Sequence, residues 1–293
     1  MGMGRLARRG TRVRGVRTFR YVGLLLAFGL AILGRTGGVQ TPRELPAKVE
    51  LIAEGESVPL GHPLRLWAGL LFRMDPGWHI YWKNPGDSGE PPKINWTLPD
   101  GFHEGAIRWP TPKRLGHGSV VDYGYEGQVL LIATIEGPIR SEGVKLEEVP
   151  LTADVKYLVC REICIPAKAH LTLSVPAGAS SSTEGKEWAG LLRAGRAQLP
   201  KPLSPGPHLS VEASGDQLVL SAERLGAVRS ATFFPDDPNV VENSAPQGFV
   251  AVPDGFRLTL KKSELLTRRP ERLWGVLVLD GNAYKIGPLI TWP

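Results

Sequence analysis

The sequence lacks an excess of charge outside its first 34 residues. Seven of its 35 lysines and arginines lie in residues 1–34, which contain no acidic residue, so the remaining 28 face 29 acidic residues. The formal charge of +6 therefore comes from the start of the chain. A nearly neutral body lacks the basic surface with which proteins bind phosphate backbones. Nucleic-acid binding is not expected.

The sequence also has few long apolar runs. Its arginine-rich start leads into one uncharged stretch, Val22–Leu33, of roughly a dozen residues, whereas a spanning helix usually needs about 20. A basic segment followed by a short apolar one is the layout of a secretory signal. We expect residues 1–36 to be a signal peptide or an N-terminal membrane anchor, and membrane contact only through this segment. Export would bring thiols into a compartment where disulfides persist.

No long segment of helical period interrupts residues 41–177. Short stretches that alternate apolar and polar residues, such as "LRLWAGLLFRM" and "HLTLSV", are separated by turn-forming clusters such as "NPGDSGEPP". This pattern indicates antiparallel strands in a sandwich. Residues 178–207 are predicted to form a linker with one short helix, "EWAGLLRAGRAQ", and residues 208–293 a second, smaller sandwich. The predicted fold class is all-β, with two tandem immunoglobulin-like β-sandwich domains.

Cysteine is scarce, since Cys160 and Cys164 in "VKYLVCREICIP" are the only two in the chain. On one straight strand they would lie about 13 Å apart, which is too far for a disulfide. The β-branched and aromatic residues before the pair, and Pro166 after it, disfavour a helix. The spacing favours a hairpin that has residues 161–163 as its turn and the two cysteines opposite each other.

Three interpretations of the pair remain open at this point. A structural staple that closes so short a ring contributes only about 2 kcal/mol in the chain-entropy model. Exposed disulfides in short loops tend to exchange with other thiols, which favours a redox pair. A metal site, best suited to a soft ion such as Cu(I), needs further ligands. The candidate histidines, His79, His103, His117 and His170, are not closely spaced with the pair.

Two other stretches suggest chemistry but have simpler interpretations. "GDSG" at residues 86–89 is similar to the surroundings of a serine-protease nucleophile, but no histidine sits in a recognisable base motif. Flanked by glycines and prolines, it is predicted to be a rigid loop. The aromatic cluster of Trp78, Tyr81, Trp82 and Trp96 could form a sugar-binding platform, but alternation along the strands favours packing in the core or at its rim.

Several motifs resemble the exported N-terminal region of the DsbD/ScsB family of thiol:disulfide interchange proteins. They are "PGWHIYWKNPGDSGEPPKINWTLPDGF", "RWPTPKRL", "YGYEGQVLL" and "VKYLVCREICIPAKAHLTLSVP", with "ATFFPDD" and "LWGVLVLDG" resembling the second sandwich of ScsB-like members. The resemblance implies an immunoglobulin-like domain whose cysteines take electrons from a membrane partner. It implies that Cys164 forms the mixed disulfide, that Cys160 resolves it, and that Tyr81 is an aromatic residue beside the pair.

The sequence departs from the family pattern in two respects. It has neither a second hydrophobic span nor a C-x-x-C motif, so a reductase role would need a separate electron donor. The segment that corresponds to the aromatic-tipped cap loop of better-known members, residues 115–121, contains no aromatic residue.

The function expected from these observations is thiol:disulfide interchange in the periplasm of a Gram-negative bacterium. The chain would be an oxidoreductase component in disulfide reduction or cytochrome c biogenesis. It would carry electrons from a membrane-embedded donor to thioredoxin-like or other periplasmic proteins without a cofactor or metal. Thiolate attack, a mixed disulfide and resolution by the second thiol make up the expected mechanism. The alternatives are a partner-binding scaffold with a structural disulfide and a Cu(I)-handling protein.

Overall fold

The computed structural model describes residues 44–56, 58–117, 119–141, 148–176 and 183–293. The predicted signal or anchor segment, residues 1–36, lies outside these ranges. The strands that precede the helix are β1 (Ala47–Gly55), β2 (Pro63–Met74), β3 (His79–Gly86), β4 (Lys93–Thr97), β5 (His103–Glu104), β6 (Lys113–His117), β7 (Val120–Glu126), β8 (Gln128–Ile139), β9 (Glu148–Cys160) and β10 (Cys164–Pro176). They form the first of two sandwiches.

The first sandwich consists of two sheets with strand orders β1-β2-β8-β5 and β10-β9-β3-β7-β6. Strand β9 is long enough to have two neighbours on one side. It pairs with β3 at its Cys160 end and with β4 over Thr152–Lys156. Alternate residues of the strands face inward and form one core, which includes Leu70, Phe72 and Trp82. The second sheet therefore has an outer face, and this face carries both cysteines.

Helix α1 (Thr183–Ala197) follows the first sandwich and overlaps the predicted helical segment, residues 187–198. Its Leu192 is fully buried against a patch of side chains from the first sheet: Ile52, Leu71, Leu130 and Ile132. This patch faces away from the main core, so the strands that carry it are buried on both faces. Among the described residues no helix is long and apolar enough to cross a membrane.

The remaining strands form the second sandwich. They are β11 (Lys201–Pro202), β12 (His208–Ser214), β13 (Gln217–Glu223), β14 (Ala231–Pro235), β15 (Gly248–Val252), β16 (Gly255–Lys261), β17 (Gly275–Leu279), β18 (Asn282–Ile286) and β19 (Ile290–Thr291). Their two sheets have the orders β11-β18-β17-β14 and β15-β16-β13-β12-β19. A second core lies between them. The predicted fold class, two tandem β-sandwiches, is confirmed.

The two sandwiches share part of a core. Phe234 from β14 is 6% exposed and packs edge-to-face on Trp82 and Tyr123 of the first sandwich. Beside this cluster, the side-chain amide of Asn84 donates a hydrogen bond of 2.8 Å to the carbonyl of Pro235. Strand β3 therefore reaches from the cysteine pair, near His79, to the second sandwich, near Asn84.

Replacing Phe234 with alanine tests this shared core. We expect Phe234→Ala to lower the free energy of unfolding by about 3–5 kcal/mol, because it leaves a cavity among buried aromatic rings. Leu265→Ala is the control, since Leu265 is 67% exposed and exposed substitutions usually change stability by less than about 0.5 kcal/mol. Urea denaturation of both variants measures the difference. Equal effects would contradict the shared core.

Candidate functional site

The two cysteines lie at the end of the β9–β10 hairpin and form a disulfide. The register pairs Cys160 directly with Cys164, and their Cα atoms are 4.1 Å apart. Residues 161–163 make the turn, in which the backbone N–H of Arg161 donates to the carbonyl of Ile163 over 3.1 Å. The hairpin predicted from the spacing is present.

The two sulfur-bearing residues differ in exposure. Cys160 is 2% exposed, whereas Cys164 is exposed. Next to Cys164 in the turn, Ile163 is 59% exposed and presents an apolar side chain to solvent. Of the two cysteines, Cys164 is therefore the one that a protein approaching this end of the hairpin can contact.

A row of paired residues runs across the sheet from the disulfide. Cys164 pairs with Cys160, Cys160 with His79 of β3, and His79 with Glu126 of β7. Directly paired residues of antiparallel strands project to the same face with Cβ atoms about 4.5–5.5 Å apart. The register thus places the His79 side chain beside Cys160, on the side away from Cys164.

The environment of His79 favours its neutral form. Burial lowers the pKa of His79, and the carboxylates of Asp122 and Glu126 oppose this effect. Its Nε2 atom is buried and has no hydrogen-bond partner among the described residues. The imidazole ring also packs edge-to-face on Tyr81, with ring centroids 5.2 Å apart. A neutral imidazole can accept a proton near neutral pH.

Tyr81 lies two residues from His79 on the same face of β3 and contacts the disulfide. Its hydroxyl oxygen is 3.5 Å from the Sγ atom of Cys164. Because a disulfide sulfur carries no proton, the hydroxyl must be the donor. Burial raises the pKa of Tyr81, an effect that hydrogen bonding with Ser88 opposes, so the group keeps its proton at neutral pH. The resemblance placed an aromatic residue beside the pair, and the structure has Tyr81 in that position.

The Asp87–Pro92 loop, which contains most of "GDSG", packs on Tyr81. A Cβ atom at Gly89 would overlap the Tyr81 ring, so only glycine permits this approach. The loop is fixed to β7, because the backbone N–H of Ser88 donates to the Asp122 carboxylate over 2.9 Å and its hydroxyl does the same. We call residues 87–92 the covering loop. The sequence predicted a rigid loop here but not its contact with Tyr81.

The other histidines considered as metal ligands lie apart from the pair. His103 is on the opposite sheet, in β5, and His170 contacts Asp154 through an Nδ1–Oδ1 distance of 2.7 Å. The His117 side chain lies outside the described part of the structure. Within the described residues, no group of three or more His, Cys, Asp or Glu side chains could hold a metal ion.

The fold and the hairpin together define an immunoglobulin-like domain that carries a disulfide between adjacent strands. Residues 50–176 match the family described as thiol:disulfide interchange protein DsbD, N-terminal. The match confirms the family resemblance that the sequence motifs of this part of the chain suggested. A comparison with curated protein sequences finds no match.

A solved structure, the N-terminal periplasmic domain of ScsB from Proteus mirabilis, is similar over both sandwiches. The TM-score is 0.62 at 19% sequence identity, and the match covers 87% of this chain and 97% of that one. At this identity the likeness shows the fold. The tandem arrangement of sandwiches is therefore shared with that domain.

Two glycine variants test whether the covering loop holds Tyr81 over the disulfide. Gly89 and Gly61 both have positive φ, +73° and +82°, but a Cβ atom at Gly61 would have no atom within 4 Å. Both alanine variants should lose about 1–2 kcal/mol from backbone strain. Only Gly89→Ala should also displace Tyr81 and speed reduction of the disulfide by dithiothreitol severalfold. Equal reduction rates in the two variants would show that the loop does not shield the pair.

Proposed function

We propose that this chain is a periplasmic dithiol carrier, which passes reducing equivalents from a membrane-embedded reductase to oxidised exported proteins. The observation that carries the proposal is the contrast between an exposed Cys164 and a buried Cys160 in one disulfide. A structural staple does not require one reachable sulfur. A two-step exchange does, because the partner must bond to one sulfur while the other remains free to displace it.

The family match of residues 50–176 and the periplasmic location of the similar ScsB domain support this proposal. The arginine-rich start with its short apolar run would then direct export or anchor the chain. Residues 41–177 would act as the redox domain and residues 208–293 as a domain that supports it. Thioredoxin-like and other exported proteins with disulfides are the proposed acceptors.

The first step of the proposed mechanism uses Cys164 as the nucleophile. In the reduced protein its thiolate attacks a disulfide of the acceptor. A bond forms between Cys164 and one acceptor sulfur, and the other acceptor sulfur leaves as a thiolate. The Tyr81 hydroxyl, 3.5 Å from the Cys164 sulfur in the oxidised form, can stabilise the attacking thiolate by donating a hydrogen bond.

The second step uses the buried thiol. Cys160 transfers its proton to the neutral imidazole of His79, and its sulfur attacks the Sγ atom of Cys164. The Cys160–Cys164 bond re-forms, and the second acceptor sulfur leaves as a thiolate. The acceptor becomes a dithiol by gaining two protons, one that His79 took from Cys160 and now releases, and one from solvent. Two electrons have then moved from this chain to the acceptor. Reduction by the membrane donor repeats the steps in reverse.

Separate cysteine variants test the order of attack. We expect Cys160→Ser to accumulate mixed disulfides through Cys164 in cells, because the resolving thiol is gone. Cys164→Ser should accumulate few, because its remaining thiol is buried. Non-reducing gels after rapid thiol blocking measure the adducts, and the double variant supplies the background. Equal adducts from both single variants, or a larger yield from Cys164→Ser, would contradict the proposed roles.

A His79 variant tests the proton acceptor. His79→Gln should slow the release of a preformed Cys164 mixed disulfide roughly tenfold, less than is usual for general-base catalysis because a thiol is already partly ionised. The variant leaves the other side chains around position 79 unchanged: Tyr81, Asp122, Glu126 and Cys160. His170→Gln is the control, since His170 is exposed on the same sheet face.

The pH profile distinguishes this role from a merely structural one. Because burial lowers the pKa of His79, release in the unaltered protein should decline only below the ordinary histidine value of about 6.5. Without the imidazole, the rate should instead keep rising with pH toward the thiol value of about 8.5. Stopped-flow measurements from pH 5 to 9 give both curves. Identical profiles would remove His79 from the mechanism.

A further inference from the structure

Three lysines stand side by side on the sheet face that carries the disulfide. Lys168 of β10 pairs with Lys156 of β9, and Lys156 pairs with Lys93 of β4. All three side chains are exposed. Like charges directly opposite each other destabilise a sheet, so the fold gains nothing from this row.

The lysine row is only partly neutralised. Lys93 forms an ion pair of 2.6 Å with Glu90 of the covering loop. Neither Lys156 nor Lys168 forms an ion pair within the described part of the chain. Two adjacent positive charges therefore remain available to an anionic ligand.

A groove beside this row extends toward the disulfide, although neither cysteine lines it. It has a volume of about 530 Å³, and its apolar lining includes Pro91, Leu158 and Pro166. Pro166 pairs with Leu158 and lies two residues beyond Cys164 on the same face of β10. The lysine row lies two residues further along, so it is about 13 Å from the cysteine pair at roughly 3.3 Å per residue. We call this surface the lysine groove.

We propose that the lysine groove binds the polypeptide segment next to the reactive cysteine of an exchange partner. The segment would be extended, with an apolar residue over Pro166 and Leu158 and acidic side chains three to five residues from the cysteine. Four extended residues span about 13 Å, which matches the separation of the disulfide and the lysine row. Opposite charges would speed encounter and fix the register of the segment.

This inference rests on the proposed thiol exchange, and peptide substrates test it on the full chain. Two synthetic peptides each carry one cysteine as a mixed disulfide with thionitrobenzoate, whose release is followed by absorbance. One has Asp and Glu residues three to five positions from the cysteine, and the other has Asn and Gln there. At low ionic strength we expect the reduced protein to react about tenfold faster with the acidic peptide, the lower end for electrostatic steering. High salt should diminish this preference.

Two matched variants locate the effect. Lys156→Gln/Lys168→Gln should lose the preference for the acidic peptide. Lys201→Gln/Lys285→Gln removes the same charge from exposed positions of the second sandwich and should retain it. If both variants lost the preference for the acidic peptide equally, the preference would come from net charge, and the proposed role of the lysine groove would be wrong.

A small uncharged oxidant separates the groove from the underlying function. All of these proteins should react with hydroxyethyl disulfide at the same rate. If they do, but the unaltered protein reacts equally fast with the acidic and amide peptides, peptide binding in the lysine groove is wrong and the proposed exchange function stands. If the unaltered protein fails to react with hydroxyethyl disulfide and with both peptides, the proposed function itself is overturned. Sedimentation that shows a dimer abolished by Lys156→Gln/Lys168→Gln would assign the groove to a second copy of this chain.

Discussion

The site depends on the register of the β9–β10 hairpin. A three-residue turn pairs Cys160 with Cys164, and this pairing places both sulfurs on one face of the sheet. A shift of one residue would turn the side chains of one strand to the opposite face. The sulfurs would then point to different sides of the sheet. Thirteen consecutive pairs between the two strands hold this register, and alternate residues of β9 bury apolar side chains in the core.

The hairpin alone does not explain why Cys160 is buried and Cys164 is exposed. The two cysteines differ in burial because of their neighbouring strands. Cys160 lies on β9, between β10 and β3, whereas Cys164 lies on β10, the edge strand of the sheet. Strand β3 brings Tyr81 to Cys164 and His79 to Cys160, two residues apart on one face. Its far end is fixed to the second sandwich through Asn84 and Pro235. The second sandwich thus has a physical connection to the strand that shapes the site.

Local patterns in the sequence predicted much of this arrangement. Alternation along the strands indicated sandwiches, and the spacing of the cysteines with the residues around them indicated the hairpin. The position of Tyr81 came from a family resemblance. The neighbour of Cys160 was not predictable, because His79 reaches it through pairing between strands some 80 residues apart in the chain. The contact of Gly89 with Tyr81 and the row of three lysines depend on long-range register in the same way.

The central claim is that the Cys160–Cys164 disulfide exchanges with other proteins rather than stapling the fold. Its reduction potential tests this most directly, measured by equilibrating the full chain with defined dithiol buffers and counting free thiols. The account predicts a midpoint above about −300 mV, in the range of disulfides that exchange with redox partners. A midpoint below about −300 mV, typical of structural disulfides, would contradict it.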